Sequence, residues 1–382
     1  MKILILGIDG FVGWTLALHL ANKGHKVSGV DNFNRRKWVK SMQSQSVTPI
    51  PPMEERIKVF SKRFGYKLNF YHINVINPVL LGNVFSKEKP DCIVHFAEQP
   101  SAAYSMKDVK SCLETYKNNI LGTLSVLWNV KKYCPRAHIL HAGTMGVYSY
   151  DLPFTPEGNF EIEIDNKKLT IPYPKLGGSF YHCGKSCDAI NLEFGSKVWD
   201  LKITDVHQAI IYGIHTKEMD NNGLLTRLDQ DEAFSTVLHR FVAQAVSGMP
   251  LTLYGKGYQK RGFIPLSDAI QCFTLLLENP PKQGEYRVVN QFENVYTITH
   301  IANKVIQIAN EFGINAKKSN IKNPRVELED NYWYNPIHRE LKRLGYKPST
   351  TLEKEIRHLF KIMIKFKHRI KKEVLMPKIS WR

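Results

Sequence analysis

The chain has 382 residues, with 53 Lys and Arg against 35 Asp and Glu, a formal net charge of +18, 43% hydrophobic residues and 23% charged ones. That balance excludes a wholly disordered chain and a collagen-like repeat, and the length predicts two domains or one large α/β domain with an appended lobe. The positive excess calls for an anionic partner, and composition leaves open whether that is nucleic acid, a membrane surface or a small molecule.

In chain order, Ile3 to Leu6 reads as a buried strand, Phe11 to Asn22 as a helix and Lys26 to Val30 as a second strand. A long insertion over 33–67 follows, basic at Arg35, Arg36, Lys37 and Lys40, broken at Thr48-Pro49-Ile50-Pro51-Pro52 and ending in a polar helix. Strands are then predicted at Asn69 to Ile73, Cys92 to Phe96, His138 to His141 and Lys202 to Val206, with helices over Ser111 to Val130 and Ser179 to Phe194. Strands alternating with helices predict βαβ units and a parallel sheet. Beyond Ile211 the strands shorten among helices at Phe234 to Ala245, Leu266 to Leu277 and Ile298 to Phe312. The expected organisation is a first domain over 1–210 and a smaller lobe over 211–382, without internal repeats. Six Cys without a CxxC predict reduced thiols, and the absence of a signal-peptide pattern or an apolar run of roughly 18 residues predicts a cytoplasmic chain.

The first turn reads Gly7-Ile8-Asp9-Gly10-Phe11-Val12-Gly13, between a strand and a helix. Gly7 suits a tight turn, Gly10 a close approach to a pyrophosphate at the helix N-terminus, and Gly13 close packing of that helix on the sheet, which together predict a dinucleotide site. Asp31, ending the second strand, is placed to accept from two ribose hydroxyls and favours NAD over NADP, a preference softened by Arg35 and Arg36. Asn74 either holds the adenine amino group or serves as a turn residue. Phe96, Glu98 and Gln99 follow the fourth strand, where an open α/β sheet binds ligands.

Tyr181-His182-Cys183-Gly184-Lys185 places a phenol and an ammonium one turn apart on one helix face. The lysine charge, with a positive nicotinamide nearby, is expected to stabilise phenolate and bring its pKa toward the working range. Thr144, ending the fifth strand, is placed to share the substrate hydroxyl. Cys183 and Cys187 share this helix face and read as packing residues, because no His or acid is spaced to complete a metal site. The C-terminal run from Lys354 to Lys372 interleaves Ile356, Phe360, Ile364 and Phe366 with basic residues, which suits docking on its own lobe or, less readily, an anionic membrane surface. No nucleic-acid motif accompanies the charge.

With these motifs in this order, the chain resembles the extended short-chain dehydrogenase/reductase enzymes that modify nucleotide sugars, and within them the UDP-sulfoquinovose synthases. The likeness runs through Val30-Asp31-Asn32, Thr48-Pro49-Ile50, Glu98-Gln99, Tyr104-Ser105-Met106 and Gly143-Thr144-Met145-Gly146. It continues through Pro172-Tyr173-Pro174-Lys175, Tyr254-Gly255-Lys256-Gly257, Asn323-Pro324-Arg325-Val326-Glu327 and the Met376-Pro377 and Ser380-Trp381 tail. The resemblance implies an α/β, Rossmann-type doubly wound parallel sheet with a smaller C-terminal α/β substrate-binding lobe. It implies bound NAD touching Asn32, Arg35, Arg36, Val75, Phe96, Asn119, Tyr181 and Lys185, and catalysis by Thr144, Tyr181, Lys185 and His182. It also implies a UDP-sugar, UDP-glucose above all, held by Gln99, Met145, Gln208, Tyr254 and Gln259, with Arg261 and Arg325 on the diphosphate and Glu327 on the uridine ribose. Sulfite or a sulfite donor is the implied second substrate, no metal is implied, and a homodimer is.

Several positions depart from that pattern. Val147 stands where the synthases carry Glu, making the segment more like the Val-Tyr of 4-epimerases; Pro100 replaces Arg, Asn74 Asp, His207 Asn and Pro265 Asp. His182 or Glu98 is the expected substitute for the missing acid. The alternatives are therefore a UDP-hexose 4-epimerase or nucleotide-sugar dehydratase and, from another class, an NAD-binding sensor that has lost turnover.

Overall fold

Seven strands make the central sheet: β1 (Lys2–Leu6), β2 (Lys26–Asp31), β3 (Asn69–His72), β4 (Cys92–His95), β5 (His138–Thr144), β6 (Lys202–Gln208) and β7 (Tyr286–Gln291). They lie in the order β7-β6-β5-β4-β1-β2-β3, each parallel to its neighbours. The computed structural model describes residues 1–148, 154–173, 177–219, 222–325 and 335–381. Parallel strands covered on both faces are apolar throughout rather than alternating. In β1, accordingly, Ile3 and Ile5 face one apolar cluster with Leu16, Leu20 and Phe273, while Leu4 and Leu6 face another with Leu127, Val130 and Leu192.

The crossover helices start where side chains can cap them. Asp108 accepts from the Ser111 N–H at 2.7 Å to open the helix Val109–Tyr133, and Ser179 accepts from the His182 N–H at 3.3 Å to open Phe180–Trp199. The expected boundary at 210 is crossed by the chain. Strand β7 returns to pair along β6 from Tyr286 with Ile203 to Gln291 with Gln208, and the helix Leu266–Glu278 joins the cluster around β1. The remaining lobe has two small sheets. Lys260–Pro265 lies between Ile210–Tyr212 and Asn294–Thr297, and Leu251–Tyr254 pairs with Lys318–Ile321. A hairpin of Phe160–Ile164 and Lys167–Ile171, not expected from the sequence, turns through Asp165 and Asn166, both with positive φ. The helix Leu352–Lys365 buries Ile356, Leu359, Phe360 and Met363 in the lobe's own core, the docked arrangement, and leaves Lys354 and Lys361 outside.

The insertion folds as two helices, Asn34–Ser41 and Met53–Phe64, tied down by charge. Arg56 is fully buried, its guanidinium 3.8 Å from the Trp14 ring centroid and its Nη1 2.7 Å from Asp9 Oδ1. Arg36 grips the same carboxylate with Nε and Nη2, both at 2.7 Å. Arg227, from the loop before the lobe's first long helix, approaches Asp9 at 3.8 Å while paired to Asp229, which also receives Arg35 Nε at 2.9 Å. Removing one partner of a buried pair strands the other charge, at a cost of about 3–5 kcal/mol. Asp9→Ala is therefore expected to lower the urea midpoint sharply, whereas Arg357→Ala, which breaks an exposed pair with Glu311, is expected to leave it in place. Equal midpoints for the two variants would show that the Asp9 cluster does not hold the insertion.

Candidate functional site

The chain winds outward from β1 through β2 and β3 on one side and from β4 through β5 and β6 on the other, so the carboxyl ends of β1 and β4 border a crevice. A cavity of about 480 Å³ opens there, within the range of ligand sites. Gly7, Gly10 and Gly13 line it. Gly7 has φ +87°, and a Cβ on it would stand 2.5 Å from the Phe96 carbonyl carbon; a Cβ on Gly13 would overlap the Gly7 carbonyl. The helix Phe11–Asn22 has no side-chain cap, which leaves its first-turn N–H groups and positive dipole end for an anion.

Asp31 accepts the Asp9 and Phe33 N–H groups, each at 2.8 Å, and still lines the cavity. Burial and the neighbouring Asp9 charge push its carboxyl up to about 6. Asn32, Arg35, Val75 and Phe96 line the cavity as well. Four expected cofactor residues do not, one of them Lys185, which is fully buried. Arg36 is committed to Asp9, and the Asn74 side-chain oxygen accepts the Ile76 N–H at 3.2 Å, which makes it a turn residue. The Asn119 amide brackets the Gln99 backbone, accepting from its N–H at 2.8 Å and donating to its carbonyl at 3.1 Å. Its neighbour Asn118, which the sequence reading missed, lines the cavity instead.

Two expected substrate contacts are also internal. Gln99 is fully buried and donates to Thr115 Oγ1 at 2.7 Å and the Ser101 carbonyl at 3.1 Å. Met145 is buried with Val147, Tyr148, Tyr173 and Phe292, so the side chain at 147 sits in an apolar cluster. Gln208, Tyr254, Gln259, Arg261 and Arg325 do line the cavity, and Arg325 stacks over the Tyr254 and Trp381 rings at 5.6 and 5.2 Å. Glu327 lies outside the described residues. Arg240 is a second residue the sequence reading missed. It lines the cavity from the mainly apolar helix Val237–Val246, donates to the Tyr254 hydroxyl at 3.0 Å, and leaves its buried Nε without a protein partner. A guanidinium inside an apolar helix was the available signal.

Thr144, Tyr181 and His182 line the same cavity. The Tyr181 N–H donates to Ser105 Oγ at 3.0 Å, its hydroxyl bonds Thr144, and Ser179 Oγ holds His182 Nδ1 at 3.0 Å. Lys185 lies behind them, fully buried, with Nζ hydrogen-bonded to Glu98 and 3.4 Å from Asp188. Lys185 acts on the phenol in the expected direction, as one of several influences. Burial dominates and raises the Tyr181 pKa, aided by the charges of Glu98 and Asp188, while Lys185 and Thr144 pull the other way and are outweighed. Glu98, His141 and Asp188 offer ligand atoms within 4.8 Å of one another, yet the Lys185 ammonium lies among them, and we assign no metal there.

The NAD dependent epimerase/dehydratase family matches residues 3–175 and 222–290. The chain belongs to that family. A UDP-sulfoquinovose synthase of Sulfolobus acidocaldarius is 42% identical over 100% of this chain and 98% of its own length. The chloroplastic UDP-sulfoquinovose synthase of Spinacia oleracea is 36% identical over 100% of this chain and 79% of its own length. The fold matches UDP-glucose 4-epimerase of Bifidobacterium longum in complex with NAD+ and UDP, with a TM-score of 0.71, 18% identity, and 96% and 98% of the two chains covered.

As a family member the protein is an NAD-dependent enzyme, and its residues fit that cofactor. The uncapped helix start would take the pyrophosphate, Asp31 would accept from the adenosine ribose, and the Gly7 and Gly13 contacts leave no room for side chains in the turn. Gly13→Ala is expected to weaken NAD binding at least about tenfold in isothermal titration calorimetry, since its Cβ forces the helix start off the Gly7 carbonyl. Unchanged affinity would mean that this turn is not the dinucleotide site.

Proposed function

We propose that this enzyme oxidises a UDP-hexose, UDP-glucose in first place, transiently at C4, and joins sulfite to it as a UDP-sulfoquinovose synthase does. The observation that carries the reading is one cavity lined both by Thr144 and Tyr181 and by Arg240, Arg261 and Arg325. Planar forks of this kind suit a diphosphate. The two relatives named UDP-sulfoquinovose synthase support a UDP-sugar and a sulfonated product.

In this reading NAD, when bound, supplies the hydride acceptor. Tyr181 takes the O4 proton while Thr144 holds the same oxygen, and Lys185 keeps positive charge behind them. A 4-keto sugar has an acidic C5 proton. His182, steadied by Ser179, takes that proton and returns it to the departing 6-hydroxyl, so that water leaves across C5 and C6. Sulfite, arriving as hydrogen sulfite, then forms a bond from sulfur to C6 and yields its proton through His182 to C5, after which the hydride returns to C4 and Tyr181 returns the proton to O4. Val147 supports the 4-epimerase reading instead, because its apolar setting provides no carboxylate at that position.

Chromatography that separates UDP-glucose from UDP-galactose, coupled to mass spectrometry, decides between them after incubation with UDP-glucose. A sulfonated UDP-sugar that forms only with sulfite is the expected result, and UDP-galactose alone would overturn the synthase. Tyr181→Phe is expected to keep its NAD and lose about 10²–10⁴ in turnover.

The proposal includes a homodimer in the cytoplasm. Its supports are six unpaired thiols and an exposed apolar face shared by two packed helices, with Val109, Leu113, Leu121 and Trp128 on one and Phe180, Ile190, Phe194 and Val198 on the other. Among the described residues no helix is long and apolar enough to cross a membrane. Sedimentation of the Ile190→Glu, Phe194→Glu double variant is expected to show a monomer where the parent sediments as a dimer. A parent that sediments as a monomer overturns this part.

A further inference from the structure

Two aromatic rings meet one of the cavity's guanidinium groups. The Arg325 guanidinium carbon lies 5.6 Å from the Tyr254 ring centroid and 5.2 Å from that of Trp381, both within reach of a cation–π contact. Arg240 meets the same Tyr254 ring at 4.9 Å and donates to its hydroxyl at 3.0 Å. Arg240, Tyr254 and Arg325 line the cavity, and Trp381 is not one of the lining side chains.

Several contacts hold the indole in place. The Trp381 N–H donates to the Pro324 carbonyl at 2.9 Å, which ties its backbone to the residue before Arg325. Glu232, itself a cavity residue, accepts the Lys378 N–H with both carboxylate oxygens at 2.9 Å and the Ile379 N–H at 3.1 Å. Ile379 is buried with Trp38, Tyr104 and Phe234, and Trp381 packs against that cluster. Trp38 and Phe234 also line the cavity, so the segment 378–381 is packed on residues of the cavity wall.

Two guanidinium groups around one ring repel each other, and an anion that bonds both stabilises the arrangement. The N–H groups of a guanidinium point outward in its plane, so two ring contacts restrict the plane from which they meet phosphate oxygens. We propose that Trp381 is a positioning residue for the nucleotide, its indole holding Arg325 in the orientation that grips the diphosphate of the UDP-sugar. This rests on the reading of Arg325 as a diphosphate ligand. The indole acts on affinity for the nucleoside diphosphate and leaves the chemistry at C4 alone. Without it Arg325 keeps its charge, but its long side chain has to be ordered at the moment of binding, which lowers affinity.

The test is isothermal titration of UDP into the NAD-loaded parent and into Trp381→Ala, Trp381→Leu and Trp381→Phe. UDP has the diphosphate and no sugar, so the measurement is independent of turnover. The Kd is expected to rise about three- to tenfold in Trp381→Ala and in Trp381→Leu, which keeps apolar bulk on the cluster without a ring. In Trp381→Phe it is expected to stay within about twofold of the parent. With UDP-glucose, Trp381→Leu should raise KM by a similar factor and leave kcat and bound NAD at the parent's values. A double-mutant cycle separates positioning from general loosening. In an Arg325→Ala background, Trp381→Leu should change the UDP Kd by less than about twofold. Trp381→Leu carries the cycle if Trp381→Ala fails to fold. Equal UDP affinity in the parent and Trp381→Leu, or the same loss with and without Arg325, overturns the proposal. A parent that binds no UDP overturns the functional reading and this inference with it. Coupled loss of UDP affinity in a protein that turns over no UDP-hexose overturns the functional reading and leaves the role of Trp381 standing.

Discussion

The carboxylate of Asp9 is the constraint on which the rest of the molecule depends. It sits inside the glycine turn, almost fully buried, at a place where a lone negative charge would be too costly to keep. Arg36 and Arg56 reach it from the insertion and Arg227 from the second half of the chain. One side chain therefore fixes three remote segments around the turn that faces the dinucleotide. Burial lowers Arg56 to about 10, which still leaves it charged at neutral pH, so the compensation holds. With Asp9 occupied by these cations, its neighbour Asp31 is bonded only to backbone N–H groups and keeps an edge toward the cavity.

This arrangement changes the meaning of the basic composition. Residues 31–70 carry nine basic and three acidic side chains, and 351–382 carry ten and three, which accounts for thirteen of the eighteen units of charge. In the first cluster Arg35, Arg36 and Arg56 turn inward to Asp9 and Asp229, so their counter-ions are the protein's own carboxylates more than a bound phosphate. The other cations that line the cavity, Arg240, Arg261 and Arg325, come from outside both of those runs. Local charge density is a poor guide to where an anion binds, because a guanidinium surrounded by acids in space is already spent.

The central sheet was legible because buried parallel strands are continuous apolar runs and the glycine turn has a fixed place between the first of them and a helix. Strand β7 was not, since Arg287, Asn290 and Gln291 make it polar. The hairpin was legible in principle. Glu161-Ile162-Glu163-Ile164 alternates up to Asp165-Asn166, residues that tolerate the positive φ a two-residue hairpin needs. Gln99 and Asn119 show a different limit. An amide that braces a loop and an amide that touches a ligand use the same hydrogen bonds, and only the partners' positions separate them.

The site also shows why Tyr-x-x-x-Lys spacing does not by itself define a base. Spacing along one helix puts Lys185 near Tyr181, but the charge that Lys185 can offer is set by Glu98 after β4, His141 in β5 and Asp188 on its own helix. Two of those groups arrive through the order of the strands, which no short motif records. Where the synthases carry a carboxylate in the loop after β5, this chain has Val147 in an apolar cluster, while the sheet beneath the cavity holds Glu98, His141 and Asp205 in contact. Ionisable groups are costly to bury and persist when each satisfies another. A row of three strands meets that condition more readily than a surface loop, because strand register fixes the spacing of its side chains while the surrounding core excludes water from the charges that face one another.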